Sequence, residues 1–375
     1  MPVPTSSPLP VLLLTAAYGE GHNAAARGLQ EALEQQPGVE VKLVDILAET
    51  YGAMYQQSRA RYLHVIEHHP AWWGFTYQAL HRTPLIHAVE LSLRTARTRL
   101  GALLQQWKPR VVVSTYPLYG YFLQKLYPPG TPRPFRFYTV VTDSLTINSV
   151  WHRTAVEAFL VPNEETAAVM RAQKVPETKL QVIGFPVPPC FAQERPERPA
   201  PVEGWGRVLY MVNAGRTEAL TMAEHLVQLP GAELTIAVGR DEALRTSLEA
   251  MLRRVGRTAQ VLGWVTNMPE LVMSHHILIG KAGGAAVQEA IAALTPMVIT
   301  KVIPGQEEGN ARLLLQHGCA AVCTTPAAVA QEVGRLLADD GAAWHQAVAC
   351  MSTISRPGSA LRMAEYLVAQ AQAQV

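Results

Sequence analysis

The chain has 375 residues, of which 49% are hydrophobic and 17% are charged, and its formal net charge is +2. This length and composition predict a globular protein of two domains and exclude a disordered chain. The small net charge gives no reason to expect a nucleic-acid partner, and the start of the sequence lacks the basic segment of a signal peptide.

The cysteines and the longest apolar runs exclude two further classes of protein. Cys190, Cys319, Cys323 and Cys350 show no CxxC spacing, so we expect reduced thiols in a cytoplasmic protein and no metal site. No run reaches the roughly 20 apolar residues of a membrane-spanning helix. Any contact with a membrane is therefore expected from its cytoplasmic surface.

The first half of the chain alternates short apolar runs with helical patterns. The runs are continuous and rich in Val, Leu and Ile, as is typical of parallel strands covered on both faces. The predicted strands are 11–16, 39–45, 110–115, 136–143 and 156–161.

The second half repeats this alternation after a proline-rich segment. Six prolines between 186 and 204 interrupt any helix or strand and predict a linker. The strands predicted beyond it are 207–213, 232–238, 259–263, 276–281, 297–300 and 320–324. Each half is thus expected to be a doubly wound α/β domain, with ligands at the carboxyl ends of its strands. The predicted division is 1–188, a linker at 189–204, a second domain at 205–355 and a C-terminal helix at 356–375.

The first candidate site is the stretch TAAYGEGHNAAARGL, where a predicted strand gives way to a helix. Gly19 and Gly21 allow a tight turn and let a ligand approach the free N–H groups of the helix. His22 has the side chain best suited to proton transfer near neutral pH. The alternative is that the histidine only caps the helix.

A second glycine turn, GKAGGAAVQEA, follows the predicted strand 276–281. N–H groups beyond Gly283 and Gly284 would direct the positive end of a helix at a diphosphate. Glu289, in the second turn of that helix, could accept hydrogen bonds from ribose hydroxyls. A solvent-facing glutamate on an ordinary helix is an equal alternative.

The segment VIPGQEEGNARLL (302–314) places an amide, a carboxylate and a second amide close together. Gln306, Glu307 and Asn310 carry groups that recognise sugar hydroxyls. Capping of the following helix is the alternative.

The distribution of aspartates bears on metal use. Five aspartates occur and none forms a DxD pair, the arrangement that would hold a divalent cation on a nucleotide diphosphate. A diphosphate would then have to be stabilised by helix N-termini, backbone amides and a cation such as Arg216 or Lys281. We therefore expect a metal-independent mechanism.

Basic and aromatic residues are concentrated between positions 51 and 110. Eight Lys or Arg residues stand there against Glu67 and Glu90, a balance of +6, together with Trp72 and Trp73. This pattern is typical of proteins that bind anionic lipid surfaces. Alternatively, the apolar stripe near the end of this segment packs on the sheet and the arginines form its solvated face. That stripe comprises Leu93, Leu100, Leu103, Leu104 and Trp107, for which we favour the core.

Taken together, the motifs resemble those of processive diacylglycerol glucosyltransferases and monogalactosyldiacylglycerol synthases, which are relatives of the transferase that completes lipid II. The resemblance covers nearly the whole chain. It rests on LLLTAAYGEGHNAAARGL, VVTDSLTINSVWHR, VIGFPVPPCF, LGWVTNMPEL, GKAGGAAVQEA and PGQEEGNA, in that order.

This resemblance implies the GT-B fold of two Rossmann-like domains facing a cleft, and inverting transfer of a hexose from a UDP-sugar to diacylglycerol or a similar lipid. It implies that His22 is the general base. Two groups of binding residues follow from it. The donor residues would be Gly21, Asn213, Gly215, Arg216, Lys281, Gly283, Gly284, Glu289, Gln306, Glu307 and Asn310. The acceptor and membrane residues would be Tyr116, Pro117, Asp143, Trp151, Trp72 and Trp73.

The resemblance further implies a peripheral protein on the cytoplasmic face of an anionic membrane, with no cofactor beyond the UDP-hexose and no metal. Two positions depart from the family's pattern. Ala282 stands where a proline usually precedes the glycine pair, and NAGRTEA replaces a glycine-rich turn at 213–219. The donor sugar stays open, as do two other functions: a UDP-N-acetylglucosamine-dependent transferase or epimerase of the same fold, or a UDP-sugar-binding regulator.

Overall fold

A computed structural model describes residues 8–83, 85–193, 196, 198–305 and 307–373. The chain divides into two compact units. The first contains residues up to 189, the segment 303–309 and everything from 358 onward, and the second contains 190–302 and 310–357.

The first unit is built on a six-stranded parallel sheet of order β2-β1-β3-β4-β5-β6. Its strands are β1 (Leu9–Leu14), β2 (Val39–Val44), β3 (Val111–Ser114), β4 (Arg136–Val140), β5 (Ala158–Val161) and β6 (Leu180–Val182).

Helices cover both faces of this sheet. They are α1 (Glu20–Glu34), α2 (Ile46–Tyr51), α3 (Ala53–His68), α4 (Pro70–Arg82), α5 (Leu85–Ser92), α6 (Arg94–Trp107), α7 (Leu118–Leu126) and α8 (Glu164–Ala172). Short 3₁₀ helices lie at Ser149–Trp151 and Glu177–Lys179.

Alternate residues of β1 enter two separate apolar layers, because successive side chains of a strand point to opposite faces. Val11 and Leu13 pack in the layer that contains Leu29 of α1, whereas Leu12 and Leu14 pack with residues of α6 and α7. The sheet is therefore buried on both sides, as its continuous apolar runs predicted.

The second unit repeats the design, with a parallel sheet of order β12-β11-β10-β7-β8-β9. Its strands are β7 (Gly206–Met211), β8 (Ala232–Ala237), β9 (Gln260–Leu262), β10 (Ile277–Lys281), β11 (Met297–Lys301) and β12 (Ala320–Val322).

Its helices precede, connect and follow these strands in the chain. They are α9 (Cys190–Gln193), α10 (Arg216–Leu226), α11 (Glu242–Val255), α12 (Met268–Ser274), α13 (Gly284–Ala293), α14 (Glu308–Gln316) and α15 (Pro326–Ile354). Helix α14 starts in the first unit's segment and continues in the second unit, and α15 is interrupted by non-helical backbone at 338–341. The last helix, α16 (Ser359–Gln372), belongs to the first unit, where it packs on α1.

The structure departs from the predicted strands and linker at two places. Strand β6 has only three residues, too few to show a periodic pattern, and it pairs in parallel with β5. Residues 190–193 of the predicted linker form α9 instead of continuing the extended segment. The short helix begins immediately after Pro189, at a position where proline does not interrupt it.

Gly28 of α1 permits a close approach between this helix and the segment that follows β6. A Cβ atom at this position would lie 2.1 Å from the carbonyl oxygen of Pro186. Helix α1 carries His22 in its first turn, so this contact also determines where the histidine lies.

We predict that Gly28→Ala destabilises the protein by on the order of 1–3 kcal/mol, because backbone atoms must move apart to admit the methyl group. The measurement is urea-induced unfolding followed by circular dichroism. The matched control is Gly334→Ala in α15, where an added Cβ would meet nothing within 4 Å. Equal stability of the two variants would contradict the close-approach explanation.

Candidate functional site

The turn between β1 and α1 is held by side chains from α2 and α3. Gly19 is the N-cap of α1 and no side chain caps the helix. The N–H of Ala17 donates to Asp45 Oδ2 (3.1 Å) and to the hydroxyl of Tyr55 (2.6 Å), and Arg59 Nε donates to the Ala17 carbonyl (2.6 Å). These three hydrogen bonds therefore fix the turn, while the glycine cap leaves the first N–H groups of α1 without an acceptor from the cap residue.

His22 is buried, with 9% of its surface exposed. Its Nδ1 donates to the carbonyl oxygen of Thr115 at 2.7 Å, and Thr142 Oγ1 lies 3.0 Å from the same nitrogen. Because a carbonyl can only accept, Nδ1 carries the proton and Nε2 holds a lone pair. Within the described part of the chain, Nε2 has no hydrogen-bond partner. The imidazole is thus held in the tautomer that a general base requires.

Burial also determines the charge of this imidazole. It lowers the pKa of His22 from 6.5 to about 4, against a smaller opposing effect of the hydrogen bond to Thr115. The side chain is consequently neutral at physiological pH and able to accept a proton.

Two aromatic side chains flank His22. The ring of Tyr116 lies edge-on at 5.0 Å between centroids, and the ring of Trp151 lies at 5.8 Å. Trp151 also donates from Nε1 to Asp143 Oδ2 at 2.9 Å. The structure therefore places His22, Tyr116, Trp151 and Asp143 in one cluster. Pro117, the remaining predicted acceptor residue of this loop, is the N-cap of α7.

Asp143 responds to burial in the opposite direction. Burial raises the pKa of its carboxyl, the hydrogen bond from Trp151 opposes this shift, and the negative charge of Glu307 adds to it, so the pKa rises from 3.8 to about 6. This carboxyl therefore titrates close to neutral pH, in contact with a residue that also flanks the candidate base.

The segment 303–309 reaches this cluster through a glycine. A Cβ atom on Gly309 would lie 1.7 Å from the carbonyl oxygen of Ser144, so only glycine allows this contact. Glu307 is buried and accepts a hydrogen bond from the N–H of Ile303 at 3.1 Å. Its carboxylate thus stabilises the turn to which it belongs. This role resembles the helix capping that was the alternative to sugar binding for this segment.

The three residues predicted to bind the sugar do not lie in one part of the structure. Gln306 lies outside the described residues, and Glu307 belongs to the first unit. Asn310 belongs to the second unit, where its Nδ2 donates to the carbonyl of Ala282 at 3.2 Å.

In the second unit, two helices begin at the carboxyl edge of neighbouring strands. Gly215 is the N-cap of α10 after β7, and Gly283 is the N-cap of α13 after β10. Both caps are glycines, so the cap residue itself supplies no side-chain acceptor for the leading N–H groups of either helix. Two positive helix ends at one sheet edge form a suitable cradle for a diphosphate.

Asn213 lies in the turn between β7 and α10. Its Oδ1 accepts from Thr300 Oγ1 at 3.3 Å, while Nδ2 is buried without a partner in the described residues. A buried donor without an acceptor costs about 1–3 kcal/mol, which an oxygen of a bound ligand could offset.

The two departures from the family pattern have structural consequences. The N–H of Ala282 donates to the carbonyl of Lys301 at 3.1 Å, a bond that a proline could not make. Arg216 donates from its guanidinium to Ser247 Oγ on α11, and this is the contact that the structure gives it.

Lys281 and Glu289 occupy the predicted places at the end of β10 and in the second turn of α13, and both are partly buried. Within the described residues, no group of three or more His, Cys, Asp or Glu side chains is arranged to hold a metal ion. Metal independence stays a prediction.

Helices α3 to α5 carry a set of exposed apolar side chains, which we call the docking face. Its members are large hydrophobic side chains that are at least one-third exposed. They are Met54, Leu63, Val65, Trp72, Phe75, Val89 and Leu91. Trp72 and Phe75 are each 74% exposed and, three residues apart on α4, are neighbours on the helix surface. Trp73 instead packs its ring 5.0 Å from that of Tyr62. Within the described ranges, no helix is long and apolar enough to cross a bilayer.

The basic residues of this segment are used in different ways. Arg59 pairs with Glu20, and Arg97 with the buried Glu90, so these two serve the fold. Arg61 and Arg94 are exposed. The apolar stripe of α6 packs in the core, as favoured from the sequence: Leu100 and Leu104 are buried, and Leu93, Leu103 and Trp107 pack against them.

Sequence patterns did not identify the side chains that hydrogen-bond to the β1–α1 turn and to His22. Asp45, Tyr55 and Thr142 lie outside the glycine motifs. Asp45 follows β2 directly, and a polar residue at the end of a buried parallel strand was a usable signal. Tyr55 lies within α3 and gave none.

Comparison with known sequences finds relatives among enzymes that glycosylate diacylglycerol. Residues 22–187 match the family model described as Monogalactosyldiacylglycerol (MGDG) synthase. Over 374 residues the chain is 26% identical to a processive diacylglycerol beta-glucosyltransferase of Bacillus mycoides (strain KBAB4), covering 97% of this chain and 94% of that protein. The Bacillus subtilis (strain 168) protein of the same name is 24% identical over 337 residues, covering 88% and 87%. The predicted family resemblance is confirmed.

The chain is a glycosyltransferase.

Solved structures agree on the fold of this glycosyltransferase. Acinetobacter baumannii MurG superposes with a TM-score of 0.63 at 16% identity, covering 96% of this chain and 99% of that one. An S. aureus MnaA–UDP co-structure gives a TM-score of 0.61 at 12% identity, covering 95% and 94%. These likenesses establish the fold alone, and the predicted GT-B fold is confirmed.

The lowered pKa of His22 gives this glycosyltransferase a measurable dependence of stability on pH. The unfolded state binds a proton at His22 below about 6.5, whereas the folded state binds it only below about 4. Wild type should therefore lose stability relative to His22→Gln as pH falls from 6.5 to 4, by at most about 3 kcal/mol.

The measurement is urea-induced unfolding of both proteins across this range. Asp143 acts in the opposite sense, because its raised pKa favours the folded state as pH falls through about 6 towards 3.8. That contribution is common to both proteins and cancels in the difference. A difference in unfolding free energy that is constant with pH would show that His22 is not titrated as described.

Proposed function

We propose that this glycosyltransferase moves a hexose from a UDP-sugar to the hydroxyl of diacylglycerol or a similar lipid, with inversion at the anomeric carbon and without a metal ion. The observation that carries the proposal is the state of His22. Its Nδ1 is held by the Thr115 carbonyl, its Nε2 keeps a lone pair, and burial keeps the imidazole neutral. The names of the relatives supply the class of sugar, a hexose, and the diacylglycerol acceptor.

In the proposed reaction, each unit provides the groups for one part of the transfer. In the first unit, His22 Nε2 takes the proton of the acceptor hydroxyl as its oxygen attacks the anomeric carbon. The bond from that carbon to the diphosphate oxygen breaks, and UDP leaves with the electron pair. In the second unit, the N-termini of α10 and α13 would stabilise the charge that develops on the diphosphate. The imidazolium then releases its proton to solvent.

The aromatic cluster suits the acceptor side of this reaction. Tyr116 and Trp151 flank the imidazole and would exclude water from the attacking hydroxyl. Excluding water matters because water would otherwise compete as acceptor and hydrolyse the donor.

The docking face suggests where the acceptor is met. Exposed Trp72 and Phe75 would enter the interface of a bilayer, and Arg61 and Arg94 would lie near anionic headgroups. We therefore propose peripheral binding to the cytoplasmic face of an anionic membrane.

The activity test uses vesicles of diacylglycerol and phosphatidylglycerol with EDTA, supplied separately with UDP-glucose, UDP-galactose or UDP-N-acetylglucosamine. We expect β-linked glycolipid from one donor, shown by the coupling constant of its anomeric proton in ¹H NMR. His22→Ala should lower kcat by about 10²–10⁴-fold, as loss of a general base does, with unchanged UDP affinity. His225→Ala, which removes an exposed histidine on α10, is the control.

The outcomes separate the alternatives. Absence of glycolipid from every donor, with measurable UDP binding, would exclude diacylglycerol transfer and favour a regulator. Conversion of the UDP-sugar itself to an epimer, without lipid, would favour the epimerase. Full activity of His22→Ala would exclude His22 as the general base.

The docking face makes a separate prediction for vesicle binding. Replacing both Trp72 and Phe75 by Ser should reduce partitioning to phosphatidylglycerol vesicles at least about tenfold, because each ring contributes roughly 1.5–3 kcal/mol when buried. Sedimentation with vesicles measures this. Leu315→Ser, an exposed apolar residue on α14, is the matched control. Equal binding by the double variant and the control would place the membrane contact elsewhere.

A further inference from the structure

The last turn of helix α4 is hydrogen-bonded to the segment 149–153. The N–H of Ser149 donates to His81 Nδ1 at 3.0 Å, and Ser149 Oγ donates to the His81 carbonyl at 2.6 Å. Arg153 adds bonds to the carbonyls of His81 (2.7 Å) and Thr83 (2.9 Å). Four hydrogen bonds therefore join the end of α4 to the segment 149–153, across about 70 residues of chain.

This segment carries the side chain that connects the candidate catalytic groups. Trp151 ends the 3₁₀ helix that Ser149 begins. Its Nε1 donates to Asp143, and its ring lies against that of His22. Any rotation of the 3₁₀ helix would displace the indole from both groups, because three residues of helix move as one unit.

The first half of α4 is joined to the same cluster by a separate series of aromatic contacts. The ring of Trp73 lies 5.0 Å from Tyr62, which lies 5.5 Å from Tyr18. Tyr18 stacks on Tyr116 at 6.2 Å, and Tyr116 contacts His22 at 5.0 Å. Helix α4 is thus fixed to the surroundings of His22 at both ends.

The bond at His81 demands an acceptor at one particular atom. Since a backbone N–H donates to Nδ1, that nitrogen carries no proton, and the imidazole is neutral with its proton on Nε2. The Oδ1 of asparagine is bonded to Cγ, as Nδ1 of histidine is, so asparagine can present an acceptor at the same place. The Oε1 of glutamine lies one bond further out.

We propose that His81 is a positioning residue of the transfer reaction: through its bond to Ser149 it holds Trp151 in place beside His22 and Asp143. This inference rests on the proposed function for its kinetic test. Its effect on Trp151 passes through the 3₁₀ helix to which it is bonded.

The experiment compares His81→Ala, His81→Gln and His81→Asn in the full-length chain. With the vesicle assay, His81→Ala and His81→Gln should lower kcat about 10- to 100-fold, as a displaced catalytic group does, with the KM for the UDP-sugar within about twofold of wild type. His81→Asn should retain most of kcat. Ser149→Ala, which loses only the hydroxyl bond, should show a smaller decrease.

A second readout does not require activity. Protein labelled with 5-fluorotryptophan gives one ¹⁹F resonance for each tryptophan, and Trp151→Phe identifies the one that belongs to Trp151. That resonance should shift in His81→Ala and return to its wild-type position in His81→Asn. Melting curves of all variants show which of them fold.

The two readouts keep the proposals separate. If wild type makes no glycolipid, the proposed function fails, and the ¹⁹F spectra still test whether His81 positions Trp151. If wild type is active, a kcat and a Trp151 resonance unchanged in His81→Ala would overturn this inference. Equal impairment of His81→Ala and His81→Asn would also overturn it, because the acceptor at Nδ1 would then not be what matters.

Discussion

The hydrogen bond from His22 Nδ1 to the Thr115 carbonyl joins the turns that follow two neighbouring parallel strands, β1 and β3. Parallel strands bring their carboxyl ends to one edge, so these turns meet there by construction. The bond decides the tautomer, and the tautomer decides that Nε2 can act as a base. The next strand, β4, contributes Thr142 and Asp143 just beyond its own carboxyl end. The order of the strands therefore brings the residues of the first unit's site together.

Burial has opposite consequences for the two ionisable groups of this site. Removing water disfavours a charged imidazole and a charged carboxyl alike, so the pKa of His22 falls to about 4 and that of Asp143 rises to about 6. Both groups are therefore biased towards their neutral forms. The same exclusion of water that would protect a sugar donor from hydrolysis also leaves the imidazole of His22 able to accept a proton without first losing one.

Several residues of the sequence motifs also have a structural role in this molecule. Glu307 belongs to a predicted sugar-binding motif, yet its carboxylate accepts from the backbone of its own turn. Ala282 departs from the family pattern, yet its N–H extends the pairing of β10 and β11. Gly309 is in the motif because its backbone meets that of Ser144 at a distance that no other residue allows. In each case the local geometry explains the residue before any ligand is considered.

Continuous apolar runs and glycine turns were enough to predict eleven of the twelve strands in the described residues, both parallel sheets, and the turns where His22 and Gly283 lie. Such signals are local, since a strand covered on both faces needs apolar residues along its whole length. The partners of those residues were decided only by tertiary structure. Asp45 behind the first turn, Thr115 on the imidazole and His81 on the 3₁₀ helix are each 28 to 93 residues from the groups they hold. Nothing in local sequence records a hydrogen bond that exists only once distant strands are side by side.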